Sequence, residues 1–130
     1  MSQPDSEPQG FAGLAGVEWL ETAEDQASAR IRVEPHHKQP YGFVHGGVYA
    51  SLAESVASRA TAEGSGKAAI GMSNNTTFLR PITEGSINAV ARKRHGGRST
   101  WVWDVEMTDD GGRLCALSRM TIAVREPPES

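Results

Sequence analysis

The chain has 130 residues, a mass of 13.9 kDa and a net charge of −3 from 13 basic and 16 acidic side chains, which supports one domain and argues against general nucleic-acid binding. Hydrophobic residues make up 38% of it, enough for a packed core. No stretch approaches the ~18 apolar residues of a spanning helix, so a disordered protein and a helical membrane protein are both excluded.

A single cysteine, Cys115, excludes an intramolecular disulfide framework and a Cys-based zinc site, and suits a reducing compartment. The first ten residues have neither a basic n-region nor an apolar h-region, and the expectation is a cytoplasmic protein. Charge is unevenly spread. Residues 1–29 hold six acidic side chains and no Lys or Arg. Residues 80–98 hold Arg80, Arg92, Lys93, Arg94 and Arg98 against Glu84 alone, a local +4 that either solvates a strand face or attracts phosphate.

Residues 1–12, rich in Pro, Gln and Ser, are expected to form a flexible arm. A short strand follows from Gly16 to Thr22, and the alternating run Ala29–Glu34 is a second, ended by Pro35. Residues 36–42 form a connecting loop. Val48 to Ala62 is the one long helical window, with Val48, Leu52 and Val56 as its expected buried stripe and Gly64-Ser65-Gly66 as its stop. Four strand patterns complete the chain: 68–78, 86–94, 98–108 and 113–124. The third puts Trp101, Trp103, Val105 and Met107 on one face. Leu114, Ala116, Met120, Ile122 and Val124 line one face of the last. Gly96-Gly97 and Asp109-Asp110-Gly111-Gly112 supply tight turns, so the last four strands are expected to form a meander. One helix of this length covers a single sheet face, giving an α+β two-layer arrangement with exposed edges that favour oligomerisation.

Two features carry possible chemistry. Glu54 sits in a helix whose only other ionisable groups from Val48 to Ala62 are Tyr49 and Arg59. It occupies either a solvent face or a lined site, and the scarcity of charge favours the second. His45-Gly46-Gly47 stands at the helix start, where Ser, Thr or Asp would cap better. The glycines either shape a turn or present bare N–H groups at the positive helix end, able to hold an oxyanion. His36, His37 and His95 show no metal-ligand spacing, the two adjacent ones being expected at the surface, and Cys115 reads as a buried structural thiol. No serine stands in a G-x-S-x-G setting.

The run Gln39-Pro40-Tyr41-Gly42-Phe43-Val44-His45-Gly46-Gly47-Val48-Tyr49-Ala50-Ser51-Leu52-Ala53-Glu54 closely resembles the core motif of hotdog-fold acyl-CoA thioesterases. It is most similar to the phenylacetate-pathway, 4-hydroxybenzoyl-CoA and 1,4-dihydroxy-2-naphthoyl-CoA subgroup. Phe78-Leu79-Arg80-Pro81, Glu84-Gly85, His95-Gly96-Gly97-Arg98-Ser99 and Asp110-Gly111-Gly112-Arg113-Leu114 extend the likeness over roughly residues 15–125. The resemblance implies a curled antiparallel sheet around one central helix. The domain would span residues 13–125, with a tail at 126–130. It also implies that Glu54 attacks the thioester or activates water, with the Gly46 N–H polarising its carbonyl. Gln39 would orient the acyl group, His45 support the carbonyl side and the loop, and Ser58, one turn beyond the acid, position the water or the acid.

By the same resemblance Gly47, Tyr49, Phe78, Arg80, His95, Gly97, Arg98, Ser99 and Thr100 would bind the substrate, the last five with Arg80 on its nucleotide side. No metal and no cofactor are implied, CoA being part of the substrate. The implied assembly is a homotetramer, a dimer of dimers with active sites between subunits. Glu54 rather than the Asp of many relatives points to the aryl-CoA branch. A non-catalytic acyl-CoA sensor and an enoyl-CoA hydratase are the alternatives. The second ranks lower because no Asp occurs from Pro35 to Val44.

Overall fold

The computed structural model describes residues 7–128. The first six residues of the expected arm and the last two of the expected tail lie outside the described residues. Helix α1 (Gly10–Ala15) begins inside the stretch read as an arm and closes on Gly16, left-handed at φ 86°. Its side chains Phe11 and Leu14 are exposed, so it leaves no amphipathic pattern to read. Strands β1 (Val17–Ala23) and β2 (Gln26–Arg32) follow, then a 3-10 turn at Pro35–His37 and the long helix α2 (Gly46–Ser65). Strands β3 (Ala68–Phe78), β4 (Ser86–Gly96), β5 (Thr100–Thr108) and β6 (Leu114–Arg125) complete the chain.

All strand pairs are antiparallel, in the order β1-β2-β4-β5-β6-β3. The expected four-strand meander is therefore corrected to three strands, β4-β5-β6. β3 crosses to the far edge and pairs with β6, while β2 takes the place beside β4. Two neighbours in sequence, β3 and β4, stand at a distance because the seven residues 79–85 cross over instead of turning tightly.

The sheet curls around α2. The buried face of α2 is Tyr49, Leu52, Ala53, Val56, Ala57, Ala60 and Thr61. Val48 is only half-buried, because a row of residues four apart drifts around a helix of 3.6 residues per turn. Burying Leu52 and Val56 contributes about 1.5–3 kcal/mol each. Trp101, Trp103, Val105 and Met107 are all buried against this face, as their alternation predicts. Trp103 Nε1–H donates to Thr61 Oγ1 at 2.8 Å, and that hydroxyl donates to the Ala57 carbonyl at 2.8 Å, so these two buried side chains satisfy each other. Leu114 departs from its expected face and is 38% exposed. The register shifts between Met107 and Thr108, an irregularity that leaves Cys115 without a cross-strand partner and changes the side on which Leu114 emerges.

The two sheet edges differ. β1 is broken by a register shift between Trp19 and Thr22 and carries Glu18 and Glu21. β3 has no charged residue from Ala68 to Phe78, and it exposes Ile70 and Met72.

Candidate active site

α2 runs antiparallel to β3, and three contacts set their alignment. Phe78 lies over Gly46, the Asn74 amide donates to the Ala50 carbonyl at 2.9 Å, and Glu54 lies beside Gly71. A Cβ at position 46 would stand 2.8 Å from Phe78 Cζ, so only glycine admits the ring there.

His45 is the N-cap of α2. Its backbone is extended, its own N–H donates to the His37 carbonyl at 2.9 Å, and its Nδ1 accepts the Gly47 N–H at 2.8 Å. The Val48 N–H donates to the His45 carbonyl at 2.9 Å. With Gly47 and Val48 engaged, the Gly46 N–H has no acceptor among the described residues. It is a first-turn donor that the helix cannot satisfy internally, at the end where the helix dipole favours negative charge.

That N–H belongs to a cleft of about 360 Å³ lined by residues including Gln39, Gly46, Tyr49, Phe78, Leu79 and Arg80. Gln39 holds its turn through a bond from the Tyr41 N–H to its side-chain oxygen, which leaves its amide N–H₂ available. Tyr49 is buried, with its ring 5.8 Å from that of Phe78 at 50°. Burial pushes its phenol above the ordinary value, against a smaller lowering effect from the Ile82 backbone. A wider hollow of about 500 Å³ by Trp19 is rimmed by Glu7, Glu18 and Glu34, a poor setting for a ligand bearing phosphates.

Glu54 lies elsewhere. It is eight residues beyond Gly46, about 12 Å along the helix axis, on the open face of α2. Within this single chain nothing encloses Glu54, which is exposed. The helix is poor in charge because its open face carries Gly47, Ser51, Ser55, Ser58 and Ala62, small residues rather than buried ones. Ser58 stands one turn past Glu54 on that face, half-buried.

The expected nucleotide side is divided too. Gly96 ends β4, so the turn consists of Gly97, Arg98 and Ser99, held by the Gly97 N–H on the Thr100 carbonyl and by Trp101 Nε1–H on the Gly97 carbonyl. His95, Arg98 and Ser99 are exposed and Thr100 half-buried. Arg80 is at the other end of the sheet, where Phe78 pairs with Ala116 and Ala116 with Met107. Six strand residues, about 20 Å, separate that level from Trp101. The local +4 is largely spent in the sheet: Arg92 pairs with Glu106, Lys93 with Asp25 and Arg94 with Asp104. Among the described residues Arg80 and Arg98 have no ion pair.

Three residues that matter here were not singled out for function. Gly71 makes room for Glu54, and Asn74 ties β3 to α2. His37, expected at the surface, is 3% exposed and holds α1 against the loop before α2. A lone Gly within a strand pattern is the one signal that could have pointed to the first.

One long helix wrapped by a curled antiparallel sheet, with a free backbone donor at the helix head, defines the hotdog class of thioester-handling domains. Residues 41–116 match the Thioesterase superfamily. The chain is 37% identical over 117 residues to Rv1847 of Mycobacterium tuberculosis, a protein named as a candidate esterase, covering 86% of this chain and 84% of that protein. It is 35% identical over 117 residues to the 1,4-dihydroxy-2-naphthoyl-CoA hydrolase of Escherichia coli, covering 88% and 85%. A crystal structure of a mutant Pseudomonas aeruginosa thioesterase superposes with a TM-score of 0.83 at 32% identity, covering 88% of this chain and 84% of that one. The chain belongs to the thioesterase superfamily, and it is a thioester hydrolase.

Proposed function

We propose that the substrate is an acyl-CoA, with an aromatic acyl group, cleaved to the free acid and CoA by a cytoplasmic homo-oligomer that needs no cofactor. The observation that carries this reading is the arrangement at the head of α2, where His45 caps Gly47 and leaves the Gly46 N–H open to the cleft. A thioester carbonyl seated there gains a donor aimed at the oxygen on which negative charge develops, and the Gln39 amide lies in the same cleft. A thiolate leaves without strong acid assistance. The remaining need is a base or nucleophile, and Glu54 supplies a carboxylate for either role. The flat, aromatic lining of Tyr49 and Phe78 and the aryl-CoA substrate named for the E. coli relative support the aromatic acyl group.

Two turns of helix separate Glu54 from Gly46 within one chain, and the sheet's length separates Arg80 from Arg98. A site assembled between chains removes both gaps. The uncharged edge of β3 favours pairing with a second β3, and the small residues on the open face of α2 allow close approach of a second subunit. Glu54 would then face the partner's cleft in a dimer, and pairs of dimers would give the tetramer.

The test is release of CoA thiol from benzoyl-, 4-hydroxybenzoyl-, phenylacetyl-, hexanoyl- and palmitoyl-CoA, followed with a thiol-reactive dye. Preferential turnover of the aryl esters is expected. Glu54→Ala should lower kcat by ~10² or more, the range for losing a general base. Activity of that variant within a few-fold of wild type, or no release from any ester, overturns the reading.

A further inference from the structure

Hydrolysis as described leaves one polar group of the cleft without a task. Tyr49 is 3% exposed, and its hydroxyl has no hydrogen-bond partner. Its surroundings offer little. The Ile82 backbone group that acts on the phenol is its N–H, a donor, which offers the hydroxyl proton no acceptor, and the Cys115 thiol donates to the Arg113 carbonyl at 3.3 Å. Tyr49 lies three residues beyond Gly46, and helix side chains lean toward the N-terminus. The phenol is therefore carried toward the part of the cleft that the Gly46 N–H faces, with the Phe78 ring beside it. A buried, unpaired hydroxyl destabilises a chain, and phenylalanine at the same place would avoid that cost. An acceptor oxygen delivered by the ligand removes that cost.

We infer that Tyr49 is a specificity-determining residue whose hydroxyl donates to an oxygen carried by the acyl group, either a ring hydroxyl or a chain ketone. Esters with such an oxygen are preferred over their unsubstituted counterparts. This rests on the acyl-CoA reading above. The principle is that a site built to hydrogen-bond a substrate oxygen rejects the analogue lacking it far better than an apolar pocket rejects a change of shape.

The experiment compares wild type and Tyr49→Phe on two ester pairs, 4-hydroxybenzoyl- with benzoyl-CoA and 3-oxohexanoyl- with hexanoyl-CoA. Tyr49→Phe removes one oxygen that has no partner in the free chain, so its thermal midpoint should equal or exceed that of wild type. In wild type, kcat/KM should favour the oxygenated member of at least one pair. In Tyr49→Phe that ratio should fall about tenfold, the size of one hydrogen bond, with the change mainly in KM. The pair that responds identifies the oxygen. A ratio within twofold of wild type in both pairs overturns the inference and assigns the hydroxyl to an ordered water. If wild type hydrolyses none of the four esters, the acyl-CoA reading falls first and the inference with it.

Discussion

The Glu54 carboxylate rests against the backbone of Gly71. A Cβ added at position 71 would stand 2.7 Å from Oε2 and 3.1 Å from Cδ, closer than real contacts allow. The strand is irregular at this point, since Gly71 pairs with Ile122 and Ser73 with Thr121, leaving Met72 unpaired. A bulge at this place changes the path of β3 beside the acid, a common use of bulges near functional groups.

Gly71→Ala should therefore act on the acid without touching its chemistry. The added methyl either turns the Glu54 side chain to another rotamer or pushes β3 away from α2. We expect kcat to fall at least ~10-fold while the denaturation midpoint changes little, because a displaced side chain on an open face costs the fold less than it costs a positioned base. The check is thioesterase kinetics beside urea melts. Unchanged kcat would mean that the position of the carboxylate at Gly71 has no part in turnover.

The elements of this fold were largely legible because each has a clean period. The strand of Trp101, Trp103, Val105 and Met107 alternates strictly, and the helical window between Gly47 and Gly64 has neither Gly nor Pro. Strand order was harder. Nothing local in residues 79–85 tells a crossover from a long turn, so β3 read as a neighbour of β4 when it pairs with β6. The exposure of Glu54 within one chain is not legible for a related reason. A low count of charges does not separate a buried helix from one whose open face is built of Gly, Ala and Ser. The burial of His37 is not legible because it comes from a partner 22 residues away, the Ala15 carbonyl. Gly46 was readable as a donor, but that Gly47 is not one follows only from the direction of the His45 ring.

A surface cluster on the outer sheet face sets an acid response. Arg119 donates to Asp104 from Nε at 2.8 Å and from Nη2 at 3.0 Å, and Arg94 lies 3.5 Å away. The Arg119 hydrogen bonds, aided by the charges of Arg119 and Arg94, hold the Asp104 carboxyl below its ordinary value of 3.8, against a smaller opposing effect of burial. A carboxyl with a depressed folded value contributes stability that is present above the ordinary value and is lost as pH falls through the lower, folded one. Arg119→Met should therefore make the protein more sensitive to acid, raising the pH midpoint of unfolding measured by circular dichroism. Because both side chains are more than a third exposed, the difference should shrink in ~0.5 M salt. An identical midpoint at low salt would show that the pair contributes nothing.

His37 joins three segments. The Glu34 N–H donates to its Nδ1 at 2.9 Å, so the ring proton is on Nε2, which donates to the Ala15 carbonyl at the end of α1 at 2.7 Å. Its own carbonyl accepts the His45 N–H just before the open donor of Gly46. His37→Ala leaves the Glu34 N–H and the Ala15 carbonyl without their partner and opens a cavity. We expect a loss of about 2–4 kcal/mol by urea unfolding. Its exposed neighbour His36, changed to Ala, should stay within about 0.5 kcal/mol. The location of the damage is as informative as its size. Amide exchange in His37→Ala should rise first in α1 and then at the start of α2, and kcat/KM should fall with it, because the loop that places His45 also places Gly46. If exchange rises in α1 alone and kcat/KM holds, the clamp serves the short helix and the head of α2 is positioned without it.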